Sequence, residues 1–600
     1  MENEKIDISL WKNFLTYAKP FKKQFMLIAI LMILVGTIDA LYPQLTRYAI
    51  DHFVVEGVTT NLYKFIAVYG VTIIVQCAII WLFISTAGRI EMGMAYNIRK
   101  IGFEKLQLLS LSYYDQRAVG WLMARMTSDI GRLSETISWG LVDFVWGLTM
   151  MSAIMIIMIY SNWKLALITL VVVPPLAIVS LYFQKKILKA YRNVRKINSR
   201  ITGAFNEDIQ GAKTTKTLVR EEKNLEEFSC LTGEMRDSSI KATMVSSIYL
   251  PIVLTLGSIG TALAIQFGGK SVMLGTLSYG TLVAFISYTI QFFEPVRELA
   301  AIFAEIQSAQ ASAERVFSLL NEELEIKDGI EVVEKYGDFF NPKHEEWPEI
   351  KGEIQFNNVS FSYKNGEKVL ENFNLHVNSG ETIALVGETG SGKSTIVNLL
   401  CRFYEPTEGE ILIDGVEYRK RPQVWLHENL GYVLQSPHLF SGTIKDNIKY
   451  GNLDASELDI IRASKLVNAH DFISELDKGY DTEVGEGGNL LSTGQKQLIS
   501  FARAVLRNPR IFVLDEATSS IDTETEKIIQ DTIHKVLKGR TSFIIAHRLS
   551  TIRSADKILV IKKGKIIESG NHAELMKKKG YYYKLYTNQF IEEQSKIVLN

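Results

Sequence analysis

Cysteine is nearly absent from this 600-residue chain, and the three present, Cys77, Cys230 and Cys401, are scattered far apart. That excludes a disulfide framework and any paired-cysteine metal site, and leaves reduced or buried thiols. Proline is also sparse, at 12 residues, so extended proline-rich segments are excluded. Neither charge sign is in excess: 66 Lys and Arg balance 66 Asp and Glu. A nucleic-acid binder would carry a basic surplus, so no nucleic-acid partner is expected. Disorder is excluded too, because 47% of the residues are hydrophobic. A mean hydropathy of +0.08 is high for a chain with 22% charged residues, so the apolar residues must be concentrated somewhere. They lie in the first half.

Six apolar runs long enough to cross a bilayer core precede residue 305, at about 25–46, 62–86, 138–160, 163–183, 246–267 and 278–304. Four contain a polar interruption: Asp39, Gln76, Asp143 and Glu294. Isolated polar groups of this kind point to helices facing a bundle interior or a wet cavity. The connections after the second and fourth runs are basic, with Arg89, Arg99, Lys100 and Lys105 in one and Lys185, Lys186, Lys189 and Arg192 in the other. Lys12, Lys19, Lys22 and Lys23 precede the first run, so both connections and the N-terminus are expected in the cytoplasm of a multi-pass protein in the cytoplasmic membrane. The two basic connections, about 50 and 60 residues long, are charged, amphipathic and almost free of proline. They predict helices continuing well past the bilayer, with turn-round tips near 112–120 and 208–217. No cleavable signal is expected, since the first 20 residues are polar and the next run is too long for one.

From residue 321 to 352 the apolar period stops and acids gather, which predicts a solvated linker. This divides the chain into a transmembrane domain, 1–320, the linker, a soluble domain, 353–590, and a short tail, 591–600.

The soluble half carries the chemistry. A β-branched strand, ETIALVG, runs into Gly387-Glu388-Thr389-Gly390-Ser391-Gly392-Lys393-Ser394-Thr395 and then an apolar helical pattern. That is the G-x-x-x-x-G-K-[ST] phosphate loop in the strand–loop–helix setting its chemistry needs. Glycines let backbone N–H groups cradle phosphates, Lys393 reaches the β- and γ-phosphates, and Ser394 can ligate Mg²⁺. A second apolar strand, Ile511–Leu514, ends in Asp515 and Glu516. The first acid can hold the Mg²⁺ shell, and the second can polarise an attacking water. The expected cofactors are ATP and Mg²⁺.

Between these motifs stands Leu491-Ser492-Thr493-Gly494-Gln495. Six spans with two long inner connections, followed by a phosphate-loop domain with LSxGQ, resemble a half-transporter of the ATP-binding cassette (ABC) exporter family, in its type IV fold. The resemblance implies an α-helical six-span bundle with long cytoplasmic helices, fused to an α/β ATPase. It also implies roles for the matching positions. Tyr363 resembles the aromatic that stacks on adenine, Gln435 the glutamine that senses Mg²⁺ and the γ-phosphate, Glu516 the general base and His547 the switch histidine. Thr482–Glu486 resembles the loop that marks exporters, and Ser519–Asp522 the loop that crosses to the opposite site. Ser492, Gly494 and Gln495 would contact a nucleotide held by a second half-transporter.

One position departs from the pattern. The family's usual signature is LSGGQ, and Thr493 replaces its first glycine. A β-branched residue there should crowd a phosphate approached closely by glycine. Because each signature in this family serves the partner's ATP, the chain resembles the glutamate-bearing half of a heterodimeric bacterial multidrug exporter, whose partner has an intact LSGGQ and another residue at the base position. The function implied is ATP-driven export of hydrophobic or amphiphilic compounds. A homodimeric lipid flippase or peptide exporter remains an alternative, and an ATP-gated channel or regulatory receptor a more distant one. Asp39, Asp143 and Glu294 are candidate substrate contacts favouring cationic amphiphiles, since a carboxylate within a span costs about 2.5–3.5 kcal/mol on insertion scales. A solvated or helix-paired carboxylate with no ligand role fits them equally well.

Overall fold

The computed structural model describes residues 8–364, 366–515, 523–545 and 549–588. The chain divides into two compact units. One comprises residues 1–107 and 118–322, and the other residues 108–117 and 323–600.

The first unit is helical. Its long helices are Lys22–Ala49, Leu62–Leu108, Ile130–Leu170, Val173–Gln210, Glu221–Leu263, Tyr279–Gln291 and Phe293–Leu320, preceded by the amphipathic Ile8–Ala18. Among the described residues, four continuous stretches, Thr16–Val55, Leu62–Leu108, Val119–Leu170 and Glu221–Met273, are long and apolar enough to cross a membrane. At 1.5 Å per residue the 47 residues of Leu62–Leu108 extend about 70 Å, more than twice the hydrocarbon thickness, as the long amphipathic connection predicts.

Breaks in the helices have local causes. Asn162 leaves the helical region at φ −163°, and its side-chain oxygen accepts from the N–H of Leu165 at 3.0 Å, starting the next turn. Pro174 and Pro175 open Val173–Gln210, where the missing N–H groups cost nothing. Pro43 and Pro251, by contrast, sit inside continuous helices. The apolar run at 278–304 is divided at Phe292, so Tyr279–Gln291 and Phe293–Leu320 are separate helices. Ser278 caps the first of these by accepting from Thr281 N–H, and Asp51 accepts from Gly280 N–H at 2.7 Å.

The second unit holds two sheets. Strands β1 (Ile354–Ser362), β2 (Lys368–Val377), β4 (Glu408–Ile413) and β5 (Val416–Glu417) form an antiparallel sheet in the order β2-β1-β4-β5. The larger sheet runs β10-β9-β3-β8-β7-β6, from β3 (Thr382–Val386), β6 (Leu430–Val433), β7 (Ile511–Asp515), β8 (Thr541–Ile545), β9 (Lys557–Lys562) and β10 (Lys565–Gly570). All but the β9–β10 hairpin pair in parallel, and the β8 residues are buried throughout. Alternation along these strands builds two cores. Ile383, Leu385, Ile511, Val513 and Phe543 pack with helix Lys393–Leu400. Ala384, Val386, Phe512, Leu514 and Ile544 pack with helices Thr493–Leu506 and Thr523–Leu537.

Of the segment 321–352, expected as a solvated tether, residues 323–352 instead belong to this unit. Ile326, Val332, Tyr336 and Ile350 are buried, and Ile330–Tyr336 is a short helix. Asp328 accepts from the fully enclosed Arg402 at 2.8 Å and from Gln423 N–H. Asp328, an acid that reads as solvent-facing in the sequence, is here a partner of a buried guanidinium.

Candidate active site

Strand β3 delivers the chain into the phosphate loop, Gly387–Gly392, and helix Lys393–Leu400 leaves it. Two glycines there are dictated by geometry. Gly392 sits at φ +104° as the residue before the helix, a conformation L side chains avoid. A Cβ on Gly387 would lie 2.2 Å from the carbonyl oxygen of Ile561. The loop therefore curls tightly around Lys393, whose Nζ donates to the carbonyls of Gly387 at 2.7 Å and Glu388 at 2.9 Å. Lys393 is only 6% exposed. Burial pushes its ammonium pKa down, and the nearby Asp515 carboxylate offsets only part of that effect.

Two observations fit this cradle to a nucleotide's phosphates. Ser391 Oγ is buried with no hydrogen-bond partner among the described residues. Ser394, directly after the lysine, turns an exposed side outward, and Asp515 ends β7 at the same carboxyl edge of the parallel sheet as the loop. In open α/β sheets ligands bind at that edge. Ser394 and Asp515 are the residues that would hold Mg²⁺, which neutralises charge on the β- and γ-phosphates. Gln435 is exposed two residues past β6, at the same edge. Glu388, Thr389 and Gly390 complete the exposed lip of the loop. The three residues assigned to base, switch and crossing roles, Glu516, His547 and Asp522, lie outside the described residues.

Tyr363 directly follows β1, and its hydroxyl meets Thr395 Oγ1 at 3.1 Å. Its ring is edge-on to Phe361 and Tyr404, with centroids 4.8 and 5.3 Å away. Tyr404 carries no sequence signal of its own and was missed. So was Tyr581, whose hydroxyl donates to the Glu388 carboxylate from 193 residues away.

The signature forms the start of helix Thr493–Leu506. Ser492 accepts from Gln495 N–H at 3.2 Å, and Gln495 Oε1 accepts from Ser492 N–H at 2.9 Å, a reciprocal cap. Gly494 is buried, whereas Thr493 is exposed in the first helical turn, at a backbone conformation that does not require glycine. Any crowding by Thr493 therefore falls on what approaches the helix from outside.

The three membrane carboxylates do not share one arrangement. Asp39 accepts from Gln76 Nε2 at 2.7 Å and from Trp146 Nε1 at 2.9 Å, tying three helices together. Asp143 is half-buried, and Glu294 is exposed in the first turn of its helix.

A phosphate loop at the carboxyl edge of a parallel sheet, followed in the chain by a capped LSTGQ helix on the opposite sheet face, defines an ABC ATPase domain fused to a helical membrane region. Comparison with known proteins agrees. The family described as "ABC transporter transmembrane region" matches residues 25–296, and that described as "ABC transporter" matches 370–519. The chain is 34% identical, over 99% of its length and 96% of the relative's, to the "ATP-dependent lipid A-core flippase" of Syntrophus aciditrophicus (strain SB). It is 35% identical, over 97% of its length and all of the relative's, to YgaD of Bacillus subtilis (strain 168), whose name assigns it provisionally to multidrug export. A solved "bacterial Atm1-family ABC exporter with ATP bound" superposes with a TM-score of 0.79 at 27% identity, covering 95% of this chain and 98% of that one. The chain belongs to the ABC transporter family, as an exporter half-transporter of the type IV fold. It is a membrane protein with a cytoplasmic ATPase domain that hydrolyses ATP with Mg²⁺ to drive transport and works as a dimer.

Proposed function

We propose that this chain is the hydrolysis-competent half of a heterodimeric exporter in the cytoplasmic membrane that moves hydrophobic or amphiphilic compounds outward. One observation carries the asymmetry: an intact phosphate-loop cradle around Lys393 stands in the same chain as a signature altered at Thr493. The cradle helix and the signature helix pack on opposite faces of the sheet, which supports a signature that serves a second chain's nucleotide. Glu516 is the base and His547 the switch of this chain's own site, with Gln435 joining Ser394 and Asp515 around Mg²⁺. Tyr363 stacks on adenine, and Asp522 crosses to the partner's site. The partner carries LSGGQ and a residue other than Glu at the base position. Two domains closing on nucleotide drive the helices only because the closed state binds it better. Asp39, Asp143 and Glu294 favour cationic amphiphiles. The lipid A-core flippase among the relatives favours a second reading, a homodimeric lipid flippase.

ATPase activity of the purified chain in lipid, alone and with its genomic neighbour, tests this. Activity in the pair only, abolished by Glu516→Gln, is expected. Full activity from the chain alone would establish a homodimer instead.

A further inference from the structure

Glu325 follows the last long helix, within the second unit. Its carboxylate accepts from Ser110 Oγ at 3.1 Å and from Ser112 Oγ, and pairs with the Lys364 ammonium. Burial would push its pKa up, but the hydrogen bonds from Lys364, Ser112 and Ser110 prevail and hold it below the usual carboxylate range. Ser110 and Ser112 bracket the start of the short helix Leu111–Asp115, the tip after the long helix ending at Leu108. Lys364 directly follows Tyr363. A second route runs in parallel: Tyr404, edge-on to the Tyr363 ring, donates to Asp115 Oδ2 at 2.5 Å. Ser112, Asp115, Glu325, Tyr363, Lys364 and Tyr404 line one cavity of about 360 Å³.

Only an ionised carboxylate can take two hydroxyl donors and an ammonium at once, since it is acceptor-only with about four lone-pair sites. A half-exposed ion pair by itself adds little affinity, so the importance of Glu325 is geometric. We propose that Glu325 is a positioning residue that keeps the 110–115 tip in register with the Tyr363 edge of the ATP site, so that nucleotide occupancy is felt by the tip. The membrane helices are covalently continuous with that tip and inherit its movement. The inference rests on reading Tyr363 as the aromatic that meets the adenine.

The test uses the full chain in lipid, with whichever partner its ATPase activity requires. Cys77 and Cys230 are changed to Ser, and an environment-sensitive fluorophore is placed on Leu111→Cys, at an exposed position outside the cavity. ATP titration should shift the fluorescence of this parent. Glu325→Gln should cut the amplitude at least about fivefold while the maximal ATPase rate stays within about twofold, a coupling effect rather than a catalytic one. The exchange Glu325→Lys with Lys364→Glu should recover most of the amplitude, because an ammonium can donate to both serine hydroxyls. Unchanged amplitude in Glu325→Gln overturns the proposal, as does a joint loss of amplitude and rate that the exchange does not recover. A parent that hydrolyses ATP without any tip response also overturns it. A parent that neither hydrolyses ATP nor responds would instead remove the reading of the ATP site itself.

Discussion

Lys393 shows how a single residue collects several physical demands. It needs Gly392 at positive φ to enter the helix, Gly387 to pass the Ile561 carbonyl, and two carbonyls to hold its ammonium where burial disfavours the charge. All of these partners except Ile561 lie within six residues, which is why the phosphate loop is legible from spacing alone. His427 is a contrasting case, invisible in the sequence. Its Nε2–H donates to the Cys401 carbonyl at 2.9 Å, and its ring is edge-on to Phe403. Burial depresses its pKa below the ordinary 6.5; the Cys401 hydrogen bond opposes this, and Arg402 and Arg507 add to it. Below pH 6.5 the unfolded chain therefore binds more protons than the folded one. Stability is full above that pH and falls as pH drops, by up to about 1.4 kcal/mol per unit until the folded ring itself protonates. Urea denaturation of the full-length protein between pH 7.5 and 5.5 should show this slope, and His427→Gln should flatten it. An equal slope in both proteins would place the titration elsewhere.

At the scale of elements, breaks were legible where a residue carries its own turn chemistry and illegible where packing decides. The two-residue gap between the runs 138–160 and 163–183 predicts a break, and in the structure Asn162 makes it by accepting from Leu165 N–H. The division at Phe292 falls inside the apolar run 278–304, where Glu294 and Pro295 mark a disturbance but not the residue of the break, so periodicity alone merges Tyr279–Gln291 with Phe293–Leu320. The same limit hides the folded state of segment 321–352 and the tie between Glu325 and Ser110, whose partners are 215 residues apart. The start of helix Tyr279–Gln291 offers a test of how closely such elements are fitted. A Cβ on Gly280 would lie 2.5 Å from the Arg47 carbonyl oxygen and 2.7 Å from the Asp51 carboxylate, both on the segment that follows helix Lys22–Ala49 or ends it. The Arg47 backbone carbonyl cannot yield cheaply, nor can the Asp51 carboxylate that caps Gly280 N–H. Gly280→Ala should cost about 1–3 kcal/mol, as overpacking does, and lower the thermal midpoint of the detergent-solubilised protein. Gly70→Ala, where nothing lies within 4 Å of the added carbon, should not.

At the scale of the whole molecule, the decisive question is which nucleotide each motif serves. On the proposed reading the cradle around Lys393 would hold this chain's own nucleotide, whereas the exposed Thr493, on a helix packed against the other sheet face, would act on a partner's. In a heterodimer with one working site these two changes separate. If Lys393 faces the phosphates as proposed, Lys393→Ala should lower the ATPase rate of the pair by about 10²–10³. Thr493→Gly restores the LSGGQ pattern, but only toward the partner's nucleotide, where the base is absent, so the steady-state rate should stay within about twofold by the ordinary scale of surface changes. In a homodimer each Thr493 would face a working site, and restoring glycine would change the rate of both. Steady-state ATPase assays of the two variants in lipid, each with the partner chain, separate the cases. A Thr493→Gly pair that hydrolyses ATP several-fold faster than the parent would mean that the altered signature faces a competent site, and the asymmetric assignment would fall.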